Sequence, residues 1–269
     1  MVVISTCGGF YLATSGALNL SLLFHTLLGS WLVAAGTNAM NQLVERDLDA
    51  RMKRTRNRPL PAGRLDPIHV TAFAMTIAML GIGYLQVQVN FLTAMLAAFT
   101  MASYVLLYTP LKRKTSLSTL VGAVPGALPA LGGWTAVQGA VTVEAWTLFA
   151  ILFFWQLPHF LAIAWIYRED YARGGFMVLP VTDRDGVRTS WQMVLNLLAL
   201  LSVSLLPTLQ GLTGPIYFFG ALALGLLFLV AGVQMMIRKT NRSARRVLLT
   251  SIAYLPVLFL LMFIDKVRL

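Results

Sequence analysis

The sequence predicts an all-α integral membrane protein with nine transmembrane helices, the first of them shortened. Three observations carry that expectation. Mean hydropathy is +0.74. Only 12% of the residues are charged, where a soluble domain carries about 25%. The apolar residues are gathered into nine runs, most of them near the ~20 residues that cross a bilayer core. The basic residues then fall on one side of the layout that those nine runs define.

The first run, residues 2–18, is short. The others cover residues 20–40, 68–89, 91–108, 117–137, 145–166, 191–209, 215–237 and 247–264. Seven Lys and Arg lie between the second and third runs, from Arg46 to Arg64. Three follow the fourth (Lys112, Arg113, Lys114), four follow the sixth (Arg168, Arg173, Arg184, Arg188) and five follow the eighth (Arg238, Lys239, Arg242, Arg245, Arg246). Only Lys266 and Arg268, at the C-terminus, stand apart. The intervening loops, such as QVQVN and QGAVT, have no cation. By the positive-inside rule the four basic loops are cytoplasmic and the C-terminus lies on the other face. The net charge of +11 therefore reflects topology, and nucleic acid is not an expected partner. A single cysteine, Cys7, excludes a disulfide framework and a cysteine metal cluster. The start shows no charged region of the kind that opens a cleaved signal peptide. No basic segment precedes the first run, so an N-terminal part is expected to be missing.

Acidic residues contribute little to topology, yet two basic loops concentrate them. The stretch NQLVERDLDARMKRTRNRP, residues 41–59, holds Glu45, Asp47 and Asp49, and Asp66 follows. The loop after the sixth run holds Glu169, Asp170, Asp183 and Asp185. Asn41, Glu45 and Asp49 are spaced i, i+4, i+8. On a helix each such step turns about 40° and climbs ~6 Å, so the three form one stripe, with Asp47 on another face. Oxygen donors on one stripe suit Mg²⁺, which takes one or two carboxylates plus substrate phosphates and water. The arginines beyond can hold phosphate oxygens. A solvated helix end laced with i,i+4 pairs produces the same pattern, and spacing alone leaves both readings open. His159 lies within the sixth run, where a polar ring is a functional candidate or a hydrogen-bonded tie between helices. His25 and His69 rank below it.

The wider pattern narrows this. NQLVERDLDARMKRTRNRPLPAG resembles the first motif of the intramembrane prenyltransferases of the UbiA superfamily, matched by Asn41, Glu45, Asp49, Arg54, Thr55, Arg58 and Pro59. YTPLKR, residues 108–113, is similar to the superfamily's element after the fourth helix. WQLPHFLAIAWIYREDYARGGFMVLPV, residues 155–181, resembles the second motif region. Its WQLPHF and REDYARGG elements, with VGAVPGALPALGGW, are similar to the branch that farnesylates haem B. Glu45 stands where many members have Asp. Ile166 occupies the position four before Asp170, so Asp170 is the acid carried over there, ahead of Glu169.

The resemblance implies a UbiA-type helical bundle forming a single prenyltransferase domain over residues 1–269. Farnesyl diphosphate and haem B are the implied substrates and Mg²⁺ the cofactor. Asn41, Glu45, Asp49 and Asp170 are the implied catalytic and metal-binding set. Arg54, Arg58, Lys112 and Arg113 are expected to grip diphosphate, joined by Arg168 and Arg173, and His159 to contact haem, as an iron ligand. In the implied reaction the allylic C–O bond breaks, a haem vinyl group attacks the farnesyl cation and water captures the resulting cation, giving haem O. Other expectations are a bacterial inner-membrane location with the site facing the cytoplasm, and contact with haem A synthase or oxidase assembly factors. The competing readings are a sister prenyltransferase acting on a quinone precursor or other aromatic, a membrane anion transporter, and an assembly factor for an oxidase.

Overall fold

Each apolar run becomes a helix, and short polar residues at the junctions set where the helices begin. The computed structural model describes residues 1–267; Arg268 lies outside them. The helices are α1 Val2–Ala13, α2 Leu20–Asp49, α3 Pro67–Gln88, α4 Phe91–Leu111, α5 Ser118–Gln138 and α6 Val143–Ile166. Two short helices follow, α7 Arg168–Gly174 and α8 Leu179–Thr182. Then come α9 Val187–Leu209, α10 Pro215–Arg238 and α11 Asn241–Ile264. Among the described residues, 8 helices are long and apolar enough to cross a membrane. The ninth, α1, has 12 residues and reaches only ~18 Å at 1.5 Å per residue, short of the ~30 Å hydrocarbon core. It stops before the predicted residue 18 because Gly16 turns the chain at φ +84° and Asn19 caps α2, its side chain accepting from the Leu22 amide at 3.0 Å.

The same device recurs. Asp66 accepts from the Ile68 and His69 amides at 2.7 and 3.2 Å, with Pro67 beside it, where a missing N–H costs nothing. Asn90 caps α4 through the Thr93 amide at 2.8 Å and donates to the Thr135 carbonyl of α5 at 2.9 Å. Thr240 and Ser243 form a capping box on α11.

α9 and α11 begin earlier than the hydropathy boundaries, where polar residues continue the helix, and two further departures, in α2 and α4, serve the site. α2 runs 30 residues and continues about 13 Å past residue 40, which carries Asn41, Glu45 and Asp49 out on one helix. α4 loosens into a π-helical turn over Ser103–Tyr108. Pro110 follows it, and a proline has no N–H to give and its ring crowds the carbonyl four residues back.

α5 and α6 are the most buried spans, at 61% and 56%, and form the centre of the bundle. α1 lies so close to α5 that backbone meets backbone. A Cβ on Gly9 would strike the Ala130 carbonyl, and one on Gly133 would strike that of Thr6. Close approach at small residues is how membrane helices gain packing without a hydrophobic drive. Opposite the basic loops, Lys266 donates to the carbonyls of Tyr11 and Thr14 at 2.5 Å each, and Gln138 donates to Ala13 at 2.6 Å. These bonds satisfy the C-terminal end of α1.

All four basic loops meet at one end. The Lys53 and Arg54 amides bond Asp170, the Met177 amide bonds the Lys112 carbonyl at 2.7 Å, and Arg168 bonds Asn241 at 2.8 Å.

The α1–α5 contact predicts that Gly133→Ala lowers the melting temperature in detergent by several degrees, the effect of an overpacked site costing about 1–3 kcal/mol. Gly83→Ala, on α3 with open space around it, leaves it unchanged or slightly raised.

Candidate active site

The predicted stripe on α2 exists, and its carboxylates are buried. Glu45 is 6% exposed and Asp49 1%, so each needs a compensating charge. Each has one. Lys112, from the end of α4, reaches Glu45 Oε1 at 2.7 Å. Arg58, from the loop after α2, reaches Asp49 Oδ2 at 2.7 Å. Asn41 links the stripe to α4: its amide nitrogen donates to Glu45 Oε2 at 3.0 Å, and its oxygen accepts from the Thr109 hydroxyl at 3.0 Å. Thr55 turns the loop back by donating to the Asp49 carbonyl at 3.0 Å.

Asn41, Glu45, Asp49, Arg54, Arg58 and Lys112 line one cavity of 290 Å³. Much of its remaining wall is aromatic, from Tyr104, Tyr108, Phe160, Tyr171 and Phe176, and the rest is mostly aliphatic. Lys112 Nζ stands 4.2 Å from the Tyr108 ring centroid, and Arg54 lies 5.5 Å from that of Tyr167 and 6.0 Å from that of Tyr171, within cation–π range. The chamber thus sets two carboxylates and three cations at the mouth of an apolar bundle.

Other predicted residues lie elsewhere. Asp170 is buried, but its oxygens turn away from this cavity. Oδ1 accepts from the Lys53 amide at 2.9 Å and Oδ2 from the Arg54 amide at 3.1 Å, and Arg173 pairs with it. Burial pushes the Asp170 carboxyl up, but the Lys53 amide, Arg173 and the Arg54 amide together outweigh this and hold it below the usual aspartate value. Arg168 and Arg173 belong to a separate basin on that side. Arg113 is exposed and lines a third cavity, behind Glu45. His159 sits in the seam between α6 and α11. Its Nδ1 shares a 2.7 Å hydrogen bond with the Ser251 hydroxyl, and its ring stacks on Trp155 at 5.2 Å. Asp183 fastens the start of α9, accepting from the Thr189 amide and hydroxyl at 2.7 Å each. Asp47 is exposed beside Arg46, off the stripe as expected.

Sequence reasoning placed Lys112 at the site but gave no role to Tyr104 and Tyr108, which stand with it on the second wall. Tyr104, Tyr108 and Lys112 repeat the i, i+4, i+8 spacing of Asn41, Glu45 and Asp49, and that repeat was the available signal. Among the described residues no three acidic, histidine or cysteine side chains converge as a ready metal cluster. The donors at the cavity are two carboxylates and an amide oxygen. That set fits a hard cation which draws its other ligands from phosphate and water.

Asp170 acts on the Lys53–Arg54 turn only while ionised. Its value is lowered on folding, so the anchor contributes above the ordinary aspartate pKa and is lost as pH falls through the lowered one. The protection factors of the Lys53 and Arg54 amides, exchange rates corrected for the intrinsic pH dependence, are therefore expected to hold from neutral pH down to the ordinary aspartate range and to fall below it. In Asp170→Asn those amides are less protected at pH 7, and their protection factors no longer fall with acid. For His159, the Ser251 contact predicts that His159→Ala lowers the melting temperature and leaves the absorbance spectrum of bound haem unchanged. A lost or shifted haem band would instead place the ring on the iron.

Comparison with known proteins bears on the whole chain. Residues 2–263 match the model of the UbiA prenyltransferase family. A protoheme IX farnesyltransferase of Solibacter usitatus (strain Ellin6076) is 46% identical over 99% of this chain and 94% of its own length. A solved digeranylgeranylglyceryl phosphate synthase structure superposes with a TM-score of 0.83 at 16% identity, covering 100% of this chain and 94% of that one. A UbiA homologue from Archaeoglobus fulgidus, bound to DMAPP and Mg²⁺, gives 0.66 at 13% identity, covering 95% and 94%. The multi-pass bundle, the buried carboxylate stripe and a family match over nearly every residue agree: the chain belongs to the UbiA prenyltransferase family.

Proposed function

We propose that this protein transfers the farnesyl group of farnesyl diphosphate to a vinyl carbon of haem B, with addition of water, giving haem O and diphosphate. The observation that carries the reading is the single cavity where two buried carboxylates meet three cations at the end of an apolar bundle. The likeness to protoheme IX farnesyltransferases over 99% of the chain supports the choice of acceptor. The Archaeoglobus homologue, described with DMAPP and Mg²⁺, supports a diphosphate and a metal. The chain acts as one catalytic domain, in a bacterial inner membrane with its basic end, and so its site, toward the cytoplasm.

Glu45 and Asp49 would hold Mg²⁺, joined by Asn41 once its amide oxygen turns from Thr109, and as a Lewis acid the metal would supply positive charge to the departing diphosphate. Arg54, Arg58 and Lys112 bind the diphosphate oxygens and stabilise the negative charge that grows as the allylic bond breaks. Tyr104 and Tyr108 wall the cavity and keep bulk water from the cation. Their ring faces carry partial negative charge and favour a cation beside them. A transporter of organic anions has no use for Glu45 and Asp49 at its mouth, because they occupy Lys112 and Arg58, the cations that would otherwise attract the anion.

The reaction is tested by incubating membranes with haem B, farnesyl diphosphate and Mg²⁺ and reading products by mass spectrometry. Haem O is expected, and chelation of the metal abolishes it. A prenylated quinone precursor in its place would overturn the acceptor. Asp49→Ala is expected to lower kcat by about 10²–10³ or more while the protein stays folded in the membrane. Near-normal haem O from that variant would refute the metal assignment.

A further inference from the structure

A second chamber lies across Arg54 from the reaction cavity, and its charge is arranged differently. The basin has a volume of 540 Å³ and is lined by Lys53, Arg54, Arg168 and Arg173, with Glu169 and Asp170 as its only acids. Asp170 is already committed to two backbone amides and Arg173. Among the described residues, Lys53, Arg54 and Arg168 have no carboxylate within ion-pair distance. In the reaction cavity the balance is reversed: there each carboxylate is buried and matched by a cation. One chamber is thus built for a cation with an anion, the other for an anion alone.

Arg168 is held ready. Its Nη1 donates to the Trp165 carbonyl at 2.9 Å and to Asn241 Oδ1 at 2.8 Å, and its guanidinium rests 4.9 Å from the Trp165 ring centroid. Both acceptors are neutral, so the charge is oriented without being cancelled. A guanidinium fixed in this way gives up little entropy when it takes a planar carboxylate. The basin is also amphipathic, because Ile166 and Tyr167, which continue from the apolar span α6, line it together with the cations. Arg54 lines both chambers and lies over Tyr167 on one side and Tyr171 on the other. A molecule seated in the basin therefore borders the place where farnesyl diphosphate is held.

We propose that Lys53 and Arg168, with Arg54 between the chambers, bind the two carboxylate side chains of the porphyrin acceptor. The assignment rests on haem B being that acceptor. Haem carries its vinyl groups on one edge of an apolar disc and its two propionates on the opposite edge. Carboxylates at the cationic rim leave the vinyl edge directed down into the bundle, as attack on an allylic cation requires. Arg168 then serves the acceptor and takes no part in gripping diphosphate.

The test is an absorbance titration, which reads binding without turnover. The purified full chain in phosphatidylcholine nanodiscs is titrated with haem B and with its dimethyl ester, which has the same ring and vinyl groups but no carboxylate charge. The unaltered protein is expected to bind the free acid about tenfold or more tighter than the ester, the effect of a charge-assisted hydrogen bond. Lys53→Gln/Arg168→Ala loses that preference, binding both forms as the unaltered protein binds the ester, with its melting temperature and its KM for farnesyl diphosphate unchanged. Arg168→Lys regains part of it. Equal binding of acid and ester by the unaltered protein would overturn the proposal, as would equal losses for both in the variant. In nanodiscs doped with phosphatidylglycerol, a variant that still prefers free haem but no longer retains that lipid would make the basin a lipid headgroup site and overturn it too. Haem O synthesis is scored separately. Its absence refutes the reaction, while the acid–ester comparison still decides the basin.

Discussion

Two carboxylates are buried at the end of a membrane-spanning helix, and the surrounding structure depends on holding their charge. Glu45 and Asp49 are each almost fully enclosed. Removing the partner of a buried charge typically costs about 3–5 kcal/mol, so Lys112 and Arg58 are constrained to be where they are. That requirement reaches into three elements. α2 must stay helical beyond the apolar run. α4 must end with Lys112 facing inward. The loop after α2 must double back so that Arg58 returns to Asp49, nine residues behind it, and Thr55 makes the return by bonding the Asp49 carbonyl.

The π-helical turn in α4 belongs to the same arrangement. It places Tyr104 and Tyr108 edge to face, with ring centroids 5.0 Å apart, and delivers Lys112 over one of the rings. A Cβ on Gly122 of α5 would run into the Tyr108 ring, so the tyrosine is held from behind by a helix that leaves room only for hydrogen. The aromatic wall and the charged wall are therefore positioned by the same two helices, α2 and α4, joined by the Thr109–Asn41 hydrogen bond.

Much of this was legible in the sequence, for physical reasons. Spans are set by hydropathy, which is local and additive, and the long helices other than α2, α9 and α11 begin and end close to the apolar runs. The α2 stripe was legible because helical spacing converts directly into a shared face. What was hidden depends on partners far away in the chain. Asp170 reads as a metal ligand by its chemistry, but its oxygens are claimed by amides 116 and 117 residues away. Those donors are backbone groups, invisible in any residue pattern. His159 finds Ser251 across 92 residues. Arg113 follows Lys112 directly, yet neighbours on a helix diverge by about 100°, so one faces the cavity and the other faces out.

The bonds that close off α1 bear on how the molecule is assembled. Lys266 holds the carbonyls of Tyr11 and Thr14 across more than 250 residues of sequence, and Tyr11 bonds the Phe263 carbonyl over a similar separation. Chains are made from the N-terminus, so α1 is synthesised before α11 and meets Lys266 only when α11 has been inserted. Until then its terminal carbonyls lack the Lys266 ammonium, in a medium where unsatisfied backbone is expensive. On this face the bundle therefore closes only once α11 stands beside α1, and residues far apart in the chain become a single seam.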